Sequence, residues 1–145
     1  MNDIFELIKE AEIICLRNKE TGEIIGKHIP FGKKITQYKR IAPNCNIIRE
    51  DEKYFPTDEN DSKANIYCLD DWCKVKWTVK MPIENDSFPN PIKWGKKAIE
   101  IHKQSDFMTL EVEDSANTFI CSSSRGFTVT VDYATGLTIK TEFAK

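Results

Sequence analysis

Residues 2–12 read N-D-I-F-E-L-I-K-E-A-E, and the way this stretch folds decides the class of the whole chain. Ile4, Leu7, Ile8 and Ala11 recur at the i, i+3, i+4, i+7 spacing of a helical stripe, with Glu6, Lys9 and Glu10 on the other face. Asp3 is a capping residue, and Glu6 follows it three residues on, as in a capping box. The pattern predicts a short amphipathic helix that needs a surface to pack on.

The following residues supply that surface as strands. Two β-branched runs between Ile13 and Ile29 flank Lys19-Glu20-Thr21-Gly22, where glycine provides the positive φ of a bulged hairpin turn. A further short strand is expected at residues 46–49. Residues 65–80, N-I-Y-C-L-D-D-W-C-K-V-K-W-T-V-K, alternate from Cys73 onward. A turn at Leu69–Trp72 would set Cys68 opposite Cys73 and Ile66 opposite Val75, with both cysteines on the inward face.

Strict alternation returns near the end of the chain. Met108, Leu110 and Val112 form one run, Phe119 and Cys121 a second, Phe127, Val129 and Val131 a third, and Leu137, Ile139 and Phe143 a fourth. Short polar connections between such runs predict a four-stranded antiparallel meander with one buried face. Parity places Val112 across from Phe119 and Leu110 across from Cys121. The expected fold class is α+β: an N-terminal amphipathic helix on a mainly antiparallel β-sheet, curled into a partial barrel or sandwich. Residues 1–145 are expected to form one domain.

Composition narrows the function. The 145 residues carry a net charge of −2 and a sequence pI near 5.8, which gives no overall attraction to nucleic acid or an anionic membrane. Acidic residues come early and no apolar run reaches membrane-spanning length, so a cytoplasmic protein is expected. In a reducing compartment the five cysteines are expected to be core thiols. Cys68 and Cys73 have neither zinc-knuckle spacing nor a helix N-terminus to lower a thiol pKa, and the only histidines are His28 and His102. No metal or cofactor is expected.

No catalytic constellation is visible either. Ser122, Ser123 and Ser124 lack a nucleophile elbow and suit a polar turn, and His102 alternates outward beside Glu100. Lys33, Lys34, Tyr38, Lys39 and Arg40 interleave charge with an aromatic, but four cations on a net-negative chain fit a solvated face better than a nucleic-acid site. The segment from residue 50 to 61 is the strongest functional signal. Glu50, Asp51, Glu52, Asp58, Glu59 and Asp61 surround Tyr54 and Phe55, a combination of steering charge and apolar anchors that suits docking to a basic protein. The expected function is a protein-binding module of the immunity or inhibitor type, neutralising a basic partner such as a toxin nuclease. Two alternatives stand beside it: a small-ligand-binding β-structure lined by Trp77, Trp94 and Phe127, and an enzyme using surface carboxylates or His102. No feature sets the oligomeric state.

Overall fold

The computed structural model describes residues 3–32, 34–50, 65–82, 86–103, 106–115 and 117–143, and within 101–109 only the course of the backbone. These residues form β1 (Phe5–Glu10), β2 (Ile13–Asn18), β3 (Ile24–His28), β4 (Ile35–Ala42), β5 (Cys45–Glu50), β6 (Ile66–Leu69) and β7 (Val75–Thr78). They continue with β8 (Lys93–Trp94), β9 (Lys96–Lys103), β10 (Asp106–Glu113), β11 (Thr118–Ser122), β12 (Phe127–Asp132) and β13 (Thr138–Phe143). All pairings are antiparallel, in four sheets ordered β1-β2-β3, β4-β5-β6-β7, β13-β12-β11-β8 and β10-β9. No helix occurs among the described residues.

The fold is therefore all-β, which corrects the expected N-terminal helix and the α+β class. Residues 5–10 extend as β1 and pair along their length with β2, Leu7 opposite Leu16 and Ile8 opposite Cys15. Ala11, at φ 53°, turns the chain back. Glu6 lies directly across from Arg17 and accepts its guanidinium at 2.8 Å. Asp3 does cap a backbone amide, that of Phe5 at 3.2 Å, but at the start of a strand. Helical propensity is a weak preference, and the available pairing edge of β2 overrides it.

The β4–β7 sheet is the centre of the stack. Every residue of β5 and β6 is buried, because both faces are covered. Ile47 and Cys68, paired across the strands, point with Cys45 and Ile66 into a cluster with Phe119, Cys121, Val129 and Val131 of the β8–β13 sheet. Ile48 and Tyr67, the next pair, point the other way and meet Ile14 and Leu7 of the β1–β3 sheet. At roughly 25 cal/mol per Å² of apolar area, these two interfaces are the main source of stability. The β9–β10 ribbon covers the outer side of the β11–β12 pair, where the Ala98 amide donates to Thr130 Oγ1 at 3.1 Å.

Three register expectations also change. The β2–β3 hairpin forms as expected, with Gly22 at φ 76° in its turn. Cys68, however, pairs with Trp77 rather than Cys73. Asp70 Oδ1 accepts the amides of Trp72 (2.8 Å) and Lys74 (3.0 Å), so residues 70–74 form a wider turn with Cys73 at φ 61° inside it. The meander has three strands, not four: β10 pairs with β9, and β8 takes the place beside β11, Trp94 opposite Phe119. Finally, the register shifts at Thr130/Val131: Leu137 and Ile139 are exposed, Phe143 pairs with Phe127 edge to face yet stays largely exposed, and Glu142 is buried.

Candidate functional site

The segment between β5 and β6 runs from residue 51 to residue 65. Its two ends are fixed side by side. The Glu50 amide donates to the Asn65 carbonyl at 2.9 Å. Asn65 Nδ2 donates to the carbonyls of Glu50 (3.1 Å) and Phe88 (2.9 Å), and its Oδ1 accepts the Phe88 amide (3.1 Å). Arg49 adds bonds to the carbonyls of Phe88 and Pro89. Buried amide and guanidinium groups satisfied in this way make a rigid stem.

Of the eight residues expected to dock a partner, Glu50 lies among the described residues, and it is fully buried. Its carboxylate accepts the backbone amides of Gly32 (2.7 Å) and Phe31 (3.0 Å) and the Tyr67 hydroxyl. Glu50 thus binds the 29–32 loop to the stem instead of facing a partner. Asp51, Glu52, Tyr54, Phe55, Asp58, Glu59 and Asp61 lie outside the described residues. What Glu50 holds in place is apolar: Ile29 is 73% exposed and Phe31 40% exposed, beside the point where the acidic segment leaves the sheet. Sequence reasoning passed over Ile29 and Phe31. The available signal was Ile-Pro-Phe-Gly, two large apolar residues in a Pro/Gly turn where no core position is expected.

His28 completes the buried chain of polar groups. Its Nε2 lies 2.6 Å from the Tyr67 hydroxyl oxygen, and its ring makes edge contacts with Phe31 and Tyr67. Tyr67 has one proton and donates it to Glu50, so the His28 Nε2–H is the donor to Tyr67. Burial lowers the His28 pKa to about 4, keeping the ring neutral. Burial also pushes the Tyr67 hydroxyl well above its usual range, with the adjacent Glu50 charge adding to it.

The basic stretch is not a continuous cationic face. The Arg40 side chain is nearly buried between Asp3 (2.6 Å) and Asp71 (2.7 Å), with the Phe5 ring 5.9 Å from its guanidinium carbon. Lys39 lies over the Trp94 ring at 5.5 Å. Tyr38, Lys39 and Arg40 line a cavity of about 310 Å³ together with Asp3 and Glu6, so carboxylates alternate with the cations. Lys33 lies outside the described residues.

Two of the serines weighed for catalysis, Ser123 and Ser124, have structural partners. Burial alone would raise the Asp86 carboxyl, but hydrogen bonds from Ser123, Ser124 and the amides of Ser87 and Arg125 hold it below its usual value. Ser123 Oγ also accepts the Phe127 amide at 3.1 Å, so these serines shape the turn before β12. His102 sits in β9 opposite Phe107, where its side chain is outside the description. Trp77 and Trp94 flank the Phe119 ring at 6.3 and 6.1 Å, and Phe127 packs on the same cluster. These three aromatics thus serve the core. Among the described residues no three His, Cys, Asp or Glu side chains converge as a metal site, and no helix is long and apolar enough to cross a membrane.

No protein-family model matches the chain, and no curated protein matches it significantly.

Proposed function

We propose that the chain is a protein-binding module of the immunity or inhibitor type. It covers a basic protein, such as a toxin nuclease, with the acidic–aromatic segment and the neighbouring Ile29–Phe31 loop. The supporting observation is the buried Glu50 carboxylate, which ties the exposed Ile29 and Phe31 to the stem from which that segment leaves. Apolar anchors beside steering charge are the composition of a docking surface: anchors slow dissociation, and charge speeds encounter. Binding residues are often carried outside the strands of a rigid β scaffold. The immunity-protein class rests on profile and analogy.

The test compares baits in the native host extract at roughly physiological salt, where loose charge contacts are screened. Wild type is set against the triple reversal Asp51→Lys, Asp58→Lys, Glu59→Lys and against Ile29→Ala. A basic protein retained stoichiometrically by wild type and lost by both variants supports the reading. Identical eluates from all three baits reject it.

A further inference from the structure

Cys45 opens β5 at the end of the molecule opposite the Glu50 stem. It lines a cavity of about 310 Å³ between the β4–β5 turn and the turn after β12, with Pro43, Lys76, Asn117, Asp132 and Tyr133 around it. The residue is 7% exposed, and its Sγ donates to the Tyr133 carbonyl at 3.5 Å. Behind it, fully buried, Cys68 Sγ lies 3.9 Å from Cys45 Sγ and donates to it. One thiol of the pair is thus reached from the cavity, and the other only through the first.

We propose that Cys45 is a reversible oxidation site, taking a small hydroperoxide from the cavity and passing the oxidation to Cys68 as an intramolecular disulfide. In the first step the Cys45 thiolate attacks the terminal oxygen of ROOH. An S–O bond forms, the O–O bond breaks, and ROH leaves with a proton, so sulfur is oxidised to the sulfenic acid and the peroxide is reduced. In the second, Cys68 sulfur attacks Cys45 sulfur. The S–S bond forms, the S–O bond breaks, and the hydroxyl leaves as water with the Cys68 proton. Two thiols and one hydroperoxide become one disulfide, one alcohol and one water.

The surroundings assign the same roles. The hydrogen bond from Cys68 draws the Cys45 thiol below its ordinary pKa against the effect of burial, with Lys76 and Arg40 assisting and Asp132 opposing. Donation to Cys45 and burial push Cys68 up, so it remains protonated until Cys45 is oxidised. The register also makes the disulfide easy to reverse. Cys68 pairs with Ile47, which makes Cys45 its diagonal neighbour. Diagonal positions lie ~7–8 Å apart, just beyond the ~4.4–6.8 Å that an unstrained disulfide spans. Closing it must draw β5 and β6 together, and a strained disulfide is readily reduced.

A competing site makes the test sharp. Cys73 is more exposed than Cys45, but burial beside Asp70 raises its pKa to about 11. Exposure alone therefore favours Cys73, whereas the paired geometry favours Cys45. Native protein is treated with one equivalent of hydrogen peroxide, remaining thiols are blocked with N-ethylmaleimide, and the digest is examined by mass spectrometry. The expected product is a Cys45–Cys68 cross-linked peptide, lost on dithiothreitol treatment, with Cys73 alkylated. In Cys68→Ser, dimedone should label Cys45 at least about tenfold faster than Cys73. Oxidation of Cys73 before Cys45, or a Cys45 that stays fully alkylatable after peroxide, overturns the proposal. Both readings are taken on wild type as well, so neither depends on the variant's folding.

Discussion

Tyr67 donates its one hydroxyl proton to Glu50 while the same oxygen lies 2.6 Å from His28 Nε2. The three side chains come from β6, β5 and β3, so this chain of bonds joins the central sheet to the β1–β3 sheet. Tyr67→Phe keeps the ring but removes the His28 Nε2 partner and one of the three donors to Glu50, which should cost about 1–3 kcal/mol of unfolding free energy. Urea titration followed by tryptophan fluorescence checks it, and a cost near zero would mean that the chain of bonds does not matter.

The same chain predicts a pH dependence. His28 titrates near 4 when folded and near 6.5 when unfolded, so between these values the unfolded chain binds more protons. Its contribution is complete above about pH 6.5 and is lost as pH falls towards 4, at a slope approaching 1.4 kcal/mol per pH unit. His28→Gln should flatten this part of the stability profile. A profile as steep as wild type would assign the slope to other groups.

Arg40 is held by two carboxylates, and lysine cannot reproduce its fork. Arg40→Lys is expected to destabilise by about 1–3 kcal/mol, since Asp3 and Asp71 are left partly desolvated without a matched donor. Its ion pair with Asp3 also holds that carboxyl below its usual value. The loss should therefore be largest above about pH 4, where both carboxylates are charged, and should shrink in acid. Equal losses at pH 3 and pH 7 would contradict the ion-pair account.

Gly136 has φ 73°, and a Cβ there would sit 2.2 Å from the Trp77 ring. Gly136→Ala should cost roughly 2 kcal/mol or more, from backbone strain plus displacement of the indole, and should shift the tryptophan emission. An unchanged melting temperature and spectrum would show that this contact is not tight in solution.

The legible parts of the fold were those set by neighbours in sequence. The β2–β3 hairpin follows from its bounding turn, and the inward set Phe119, Cys121, Val129 and Val131 from simple alternation. β1 misled for a physical reason. It is partly covered on both faces, so apolar residues fall on adjacent positions such as Leu7 and Ile8, and such doublets imitate a helical stripe. Alternation could not tell whether β10 pairs with β9 or β11, because every candidate strand alternates. Nor could it see Asp70 capping the wider turn that moves Cys73 away from Cys68. Glu50 was hidden in an acidic run, and its donors at Phe31, Gly32 and Tyr67 are distant in sequence. The Cys45–Cys68 pair was hidden in the same way.

In the proposed function, acidic charge and the Ile29–Phe31 loop together engage a basic protein. This engagement is tested most directly by association and dissociation rates with the captured partner across ionic strength. The combined reversal Asp51→Lys, Asp58→Lys, Glu59→Lys should slow association by about tenfold or more, an effect that fades at high salt, while Ile29→Ala should mainly speed dissociation. Rates that match wild type for both variants at every salt concentration would contradict it.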